Sequence, residues 1–546
     1  MKNFSHQVVY QIYPKSFRDS DGDGVGDLRG VTEKLDYIRD LGADWIWLTP
    51  FFPSPQRDNG YDVADYCGVD PRFGTMEDAE ELLREAEKRG IGLMLDMVFN
   101  HTSTAHEWFR RALRGEKKYR DYYIFRDGPA DRPPTNWQSK FGGSAWEYVP
   151  ALGQWYLHLF DVTQADLNWD NPAVREELKN VIRFWKDKGV RAFRFDVVNL
   201  ISKPDIFRDD PAGDGRSFYT DGPRVHEYLQ ELARDTGLDE AVTVGEMSST
   251  SLEHCVRYTR PENRELSMSF SFHHLKIDYK GGDKWQLQPP DLSRLRELFC
   301  TWQEGMLAGG GWNALFWCNH DQPRVVSRLG DDTRYWKESA KMLALCVHLM
   351  RGTPYVYQGE ELGMTNAYFD SISRYRDVES INYYRILTEK GLPAAEVMKV
   401  LAARSRDNSR TPMQWDDGPC AGFSAGKPWI DVPSRRPGAN AAAEEKDPSS
   451  ILHFYRRLIR LRKEMPVVAR GDIRFILPDV PGLIAYERRL NDETLTVLCN
   501  FTAEPLRVPR EGAPSCLLDS YETPPSFDGE ALTLRPYEGT AGMTRE

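Results

Sequence analysis

Residues 190–198 read VRAFRFDVV, and this stretch decides the fold. The run is apolar and β-favouring, with Arg194 and Asp196 set two positions apart. Alternate side chains of a strand share a face, so the guanidinium and the carboxylate stand side by side. The rest of the run is hydrophobic without alternation, as a strand covered on both faces requires. The same texture recurs in VVYQIYP (8–14), DWIWLTP (44–50), IGLMLDMVFN (91–100), AVTVGEM (241–247), LSMSFSF (266–272), NALFWCNHD (313–321) and TPYVYQGEE (353–361). Helical patterns lie between them. TMEDAEELLREAEKRG offers Thr75 as N-cap and Gly90 just past the end; NPAVREELKNVIRFWKDKG offers Asn171 as cap with Pro172 at the first helical position. Eight strands alternating with helices predict an α/β fold, a closed (β/α)8 TIM barrel. A doubly wound open sheet is the alternative, but no GxGxxG follows the first strand.

Two regions break the rhythm. After His101 a segment rich in Trp, Tyr, Pro and Gly is too long for an ordinary loop. It reads as a subdomain inserted after the third strand, residues 102–171, dividing the barrel into 1–101 and 172–471. From residue 472 to 546, runs such as GLIAYERRL and ETLTVLCNF alternate and turn like a small antiparallel β domain; the amphipathic helix SSILHFYRRLIRLRKEMP precedes it.

The chain has 546 residues, 71 basic and 83 acidic, for a formal net charge of −12. That balance argues against nucleic acid or a membrane surface as a partner. No signal-like N-terminus and no run of about 18 apolar residues is seen, which leads to the expectation of a soluble, cytoplasmic protein. The eight cysteines are scattered with no CxxC pair, so neither a disulfide framework nor a zinc site is expected.

Barrel enzymes place their chemistry at the C-terminal ends of the strands. Those ends carry Asn100 and His101 (strand three), Arg194 and Asp196 (strand four), Glu246 (strand five), and His320 and Asp321 (strand seven). Three converging carboxylates repel one another unless a cation or the chemistry uses them. Arg194 would keep Asp196 ionised. Glu246, with no cation adjacent in sequence, could keep the proton of an acid. An ionised and a protonated carboxyl group together are what glycoside hydrolysis with retention needs.

DMVFNH, GVRAFRFDVVN, VGEM and NHDQPR resemble the four conserved regions of the α-amylase family, glycoside hydrolase family 13, and DNGYDVADY and RDNSRTPMQW resemble its α-glucosidase branch. The resemblance implies Asp196 as nucleophile, Glu246 as general acid/base and Asp321 as transition-state stabiliser. It implies Asp58, Tyr61, His101, Arg194, His320 and Arg410 around the non-reducing glucose, with an Asp58–Arg410 ion pair closing the pocket behind it. A closed pocket implies attack from the chain end.

Asp19, Asp21, Asp23 and Asp27 fall at alternating positions, and with the Val25 carbonyl they suit a hard cation. Position twelve of the loop is Gly30 instead of Glu, so this is no EF-hand. The resemblance implies one structural Ca2+, or Mg2+, and no catalytic cofactor. A solvated acidic loop is the alternative.

SFSFHHLKIDYKGGDKW (269–285) concentrates positive charge just after strand six. Neutral disaccharides need none there. The segments ELSMSFSFHHLKIDYKGGDKW, TVGEMSSTSLEHC and GDGRSFYTDGPRVHEYL resemble the trehalose-6-phosphate hydrolases within the branch. That implies a phosphorylated disaccharide, α,α-trehalose 6-phosphate, cut to glucose and glucose 6-phosphate. His273, Lys276 and Lys284 are the expected phosphate binders, in a monomer. Oligo-1,6-glucosidase and a trehalose-synthase-type isomerase are the rival activities. Catalytically dead transporter subunits of the superfamily lack the full triad and bring a membrane span.

Overall fold

The computed structural model describes residues 4–433, 436–510 and 515–545. The eight expected strands form as β1 (Val9–Ile12), β2 (Trp45–Leu48), β3 (Gly92–Met97), β4 (Ala192–Phe195), β5 (Val242–Met247), β6 (Met268–Ser271), β7 (Ala314–Leu315) and β8 (Thr353–Tyr357). They pair in the order β6-β5-β4-β3-β2-β1-β8-β7, every neighbour parallel. A parallel bridge between Ser269 and Asn313 joins the two edges, so the sheet is a barrel nearly closed on itself.

Why the strands lack alternation is now visible. Val9, Trp47, Met94, Val244, Phe270, Phe316 and Tyr355 pack together as one cluster inside the barrel. Their neighbours Tyr10, Ile46, Leu95 and Phe193 join the larger cluster shared with the surrounding helices. Both faces are covered, so both must be apolar. The helices start where the sequence signals it. Thr75 and Asp78 form a reciprocal capping box on Met76–Lys88, and Asn171 caps Pro172–Asp187.

Between β3 and β4 the chain makes two small antiparallel sheets. His101–Ser103 pairs with Gln164–Asp166, and Gln154–Leu157 lies between Phe125–Asp127 and Trp146–Val149. Trp137, Trp146 and Trp155 pack there with Val197, Leu200 and Tyr219 from beyond β4, which fixes this insertion over the mouth of the barrel. After β8 the helices Val378–Glu389 and Ala394–Arg404 form a further cluster with Trp285, and the chain returns to the mouth in the short helix Asp407–Arg410. Among the described residues the C-terminal part is antiparallel, with five strands in one sheet and three in another. Among the described residues no helix is long and apolar enough to cross a membrane.

Two buried arginines brace this junction, Arg462 from the helix Ile451–Glu464 that precedes the C-terminal part and Arg488 from within it. Arg462 donates to the carbonyl oxygens of Ser5, His348, Met350 and Gly352; Arg488 donates to those of Leu349, Val468, Gly471 and Asp472. Several of these are the carbonyls that a helix leaves unpaired at its end, here Trp336–His348. Burial pushes both arginines down to about 9, so each keeps its charge at neutral pH. Replacing Arg462 by Met orphans four buried acceptors. Arg462→Met is expected to lower unfolding stability by about 3 kcal/mol or more, read in thermal or denaturant melts. A melting curve within a degree of the parent would contradict this role.

Candidate active site

The β-register builds the centre of the site. Asp96 on β3 is the register partner of Arg194 on β4, and Val244 on β5 is its partner on the other side. Arg194 therefore reaches one carboxylate on each neighbouring strand and one on its own. Its Nη1 lies 2.7 Å from Asp96 Oδ1 and 2.6 Å from Asp196 Oδ1, and its Nη2 meets Glu246 Oε2. The guanidinium is fully buried, over the ring of Trp47 at 5.0 Å. One cation thus serves three carboxylates. This corrects the expectation that Glu246 stands apart from positive charge: adjacency across strands supplies what adjacency in sequence did not. Asp96, which the sequence reading passed over, also accepts from Trp47 Nε1 and Tyr61 Oη. Burial raises it to about 6, with Arg194 opposing. Its signal was available: a lone acid inside an apolar strand.

Just past Asp196 the chain turns out of the barrel. Val197 takes φ 35°, in the left-handed region, where a β-branched residue stays only if its surroundings hold it. It is buried among the aromatic rings of the insertion.

A second charge cluster faces the first. The short helix Asp407–Arg410 sets Arg406 and Arg410 one turn apart. Arg406 Nη2 lies 2.9 Å from Asp58 Oδ1 and 2.6 Å from the fully buried Asp377. Arg410 Nη2 lies 2.6 Å from Asp321 Oδ1, and its Nε donates to the His320 carbonyl. The expected Asp58–Arg410 pair is therefore not formed. Arg406 takes Asp58, because Arg410 is committed to Asp321 and the His320 carbonyl. Desolvation would raise Asp321, yet His320, Arg406 and Arg410 hold it far below the usual carboxylate range. Asp58 goes the other way: burial raises it to about 7 against Arg406 and Arg410.

The remaining expected residues wall the space between. Tyr61 stacks on His320 at 5.0 Å, nearly parallel, and Tyr13 covers the other side. Burial lowers His320 to about 3, so the ring is neutral. Gln11 Nε2 sits 2.8 Å from its Nδ1, leaving the ring Nε2 without a hydrogen bond, 3.5 Å from Asp321 Oδ2. Assigning Nδ1 as the acceptor makes Nε2–H a free donor. His101, also lowered by burial, spends both nitrogens on Asn100, Gln164 and the Tyr61 carbonyl.

Outside this space lies a cavity of about 230 Å³ whose lining includes Glu246, Asp321, Lys276 and Lys284. Lys276 is exposed and has no ion-pair partner among the described residues, while crowding by the walls and Arg216 lower its pKa. Lys284 lies 2.5 Å from Glu379. His273 does not line the cavity. Its ring stacks on Trp302 at 4.6 Å, and burial lowers it to about 4. The chain turns tightly over His273–Lys276, so neighbours in sequence face different surroundings. His274 is a core residue bonded to the Phe316 carbonyl.

Near the N-terminus, carboxylate oxygens of Asp19, Asp21 and Asp27 come within 4.8 Å of one another. Asp23 stays outside this group, its Oδ1 accepting from Val25 N–H. Three hard oxygen donors drawn so close fit a divalent cation.

Residues 11–471 match the family model described as alpha amylase, catalytic domain. The chain belongs to the α-amylase family. Within it, the chain is 54% identical to the trehalose-6-phosphate hydrolase of Escherichia coli K12, covering 97% of each chain. The oligo-1,6-glucosidase of Parageobacillus thermoglucosidasius is more distant, at 46% identity over 97% of each chain. Among solved structures, Bacillus licheniformis trehalose-6-phosphate hydrolase superposes over the whole of both chains with a TM-score of 0.94 at 53% identity.

Arg194→Met leaves the buried Asp96 and Asp196 and the half-buried Glu246 without this cation. Stability at pH 7 should fall by about 3–5 kcal/mol. Because the folded pKa of Asp96 is already raised, the penalty grows as pH climbs from 5 to 8 and shrinks where the cluster can protonate. A variant as stable as the parent at pH 8 would contradict the shared-cation geometry.

Proposed function

We propose that this chain is a retaining, exo-acting α-glucoside hydrolase that cleaves α,α-trehalose 6-phosphate to glucose and glucose 6-phosphate. One observation carries the substrate choice. In an acidic protein, lysines line the cavity outside the carboxylates, and Lys276 is there without a counter-ion among the described residues. A leaving sugar that carries phosphate supplies that counter-ion; the neutral leaving group of isomaltose does not.

The chemistry follows from the two charge clusters. An oxygen of Asp196 attacks the anomeric carbon as the glycosidic C–O bond breaks, and Glu246 gives its proton to the departing oxygen. Water then attacks the glycosyl-enzyme, losing a proton to Glu246 and freeing Asp196. Three carboxylates around one guanidinium hold excess negative charge, which favours retaining one proton. Glu246 is the member that lines the leaving-group cavity. Asp196 and Glu246 share the Arg194 guanidinium, and retention asks such a pair of carboxyl groups to stand about 5–5.5 Å apart. Asp321, held ionised, steadies positive charge developing on the sugar ring. Asp58, Tyr61, His101, His320 and Arg410, now joined by Arg406, shape the glucose pocket. Lys276 and Lys284 bind the phosphate as point charges. The geometry gives His273 no part in this.

One Ca2+, or Mg2+, bound by Asp19, Asp21 and Asp27 would steady the first loop of the barrel, since Asp19 also accepts from Ser424 of a distant segment. It takes no part in the reaction. A charged substrate that cannot cross a membrane unaided fits a cytoplasmic enzyme.

Two experiments test this reading. Lys276→Ala should lower the preference for trehalose 6-phosphate over p-nitrophenyl α-glucoside, measured as the ratio of kcat/KM values, by roughly 10- to 100-fold. Equal losses on both substrates would remove Lys276 from the phosphate site. Chelation with EDTA should lower the melting temperature, with recovery in millimolar Ca2+ or Mg2+. An unchanged melt would leave the acidic loop as a solvated turn.

A further inference from the structure

Four cations line the cavity outside the carboxylates: Lys140, Lys276, Lys284 and Arg406. Arg406 is bound to Asp58 and Asp377, and Lys284 to Glu379. Lys140 differs. It comes from the insertion after β3, and no carboxylate lies within ion-pair distance among the described residues. Its Nζ donates to Ser248 Oγ at 3.0 Å, two residues beyond Glu246, and lies 5.6 Å from the ring centre of Tyr219.

Its backbone is held firmly. Lys140 N–H donates to the Leu159 carbonyl, Gly142 N–H to the Ser139 carbonyl, and Ser139 Oγ to the Phe160 carbonyl. The turn therefore holds the ammonium at the cavity that Lys276 and Lys284 also line, from a separate segment of the chain. Two unpaired ammonium groups facing one small cavity repel each other, and an anion between them removes that cost.

We propose that Lys140 is a phosphate-binding, specificity-determining residue, which closes on the phosphate from the insertion while Lys276 and Lys284 hold it from the segment after β6. This rests on the reading of the substrate as a sugar phosphate and adds the residue that completes its site. Serine hydroxyls at 248 and 249 line the same cavity and can donate to the remaining phosphate oxygens.

The surroundings make this contact sensitive to pH. Burial lowers Lys140 to about 7, with Arg216 and Lys276 adding to the shift and Asp214 and Asp166 opposing it. Glu246 also lines the cavity, and Arg216 is itself paired with Asp214 at 3.2 Å. A lysine with a lowered pKa is charged below that pH and neutral above it. Phosphate recognition should therefore weaken from pH 7 to 9, a range in which a phosphate monoester stays dianionic.

The test is the ratio of kcat/KM for trehalose 6-phosphate to kcat/KM for trehalose, for the parent, Lys140→Met and Lys140→Arg, at pH 7, 8 and 9. In Lys140→Met the ratio at pH 7 should fall by roughly 10- to 100-fold. Lys140→Arg should restore most of it and flatten the decline with pH, because arginine stays charged. If Lys140→Met does not fold, the comparison of the parent with Lys140→Arg still decides. A ratio unmoved by Lys140→Met, or parallel pH profiles for the parent and Lys140→Arg, would overturn the role of Lys140 while leaving the substrate reading in place. A parent enzyme with no preference for the phosphorylated sugar at any pH would overturn the substrate reading itself.

Discussion

The structure depends on one guanidinium. Arg194 sits at the mouth of the barrel with no exposed surface and carries three acids, Asp96, Asp196 and Glu246, from three adjacent strands. Taking such a group out of water costs several kcal/mol per ion unless geometry and partners compensate. The barrel's parallel register does that by lining up Asp96 with Arg194. Arginine suits the position better than lysine, because its planar fork reaches several carboxylates at once and it stays charged when buried. The second cluster repeats the logic with Arg406 and Arg410 against Asp58, Asp321 and Asp377. Between the two, the neutral ring of His320 stacked on Tyr61 forms a wall that is flat and largely apolar, with one free N–H. Sugar binding asks for that combination of an apolar face and a few directed donors.

Most of the barrel was legible in sequence because strands buried on both faces have no freedom to be polar. VRAFRFDVV is apolar except where Arg194 and Asp196 reach the mouth. Helix starts were legible through Thr75 and Asn171, whose side chains must accept the N–H groups that a helix leaves unpaired. The strand-end acids were legible for the same reason as the strands: each interrupts an apolar run.

What could not be read were relations between segments far apart in the chain. The exchange of partners among Asp58, Arg406 and Arg410 follows from a one-turn offset in a four-residue helix, and pattern alone does not reveal which arginine of RDNSR faces which acid. Asp377 and Glu379 come from a helical segment that carries no chemical signature. His273 was grouped with Lys276 and Lys284 by positive charge alone, but β6 ends at Ser271 and the tight turn over His273–Lys276 sends adjacent side chains in different directions. Lys140 was hidden in a Trp-rich insertion, 136 residues before Lys276 in the sequence; only the packing of that insertion over the mouth puts them on one cavity.

The central claim is that positive charge outside the carboxylates selects a phosphorylated leaving sugar. The most direct measurement is glucose release from trehalose 6-phosphate, trehalose and isomaltose by a single purified preparation. The account predicts that kcat/KM for trehalose 6-phosphate exceeds that for trehalose by roughly 10²- to 10⁴-fold, as two charge-assisted contacts to phosphate allow. Isomaltose turned over faster than trehalose 6-phosphate would contradict it.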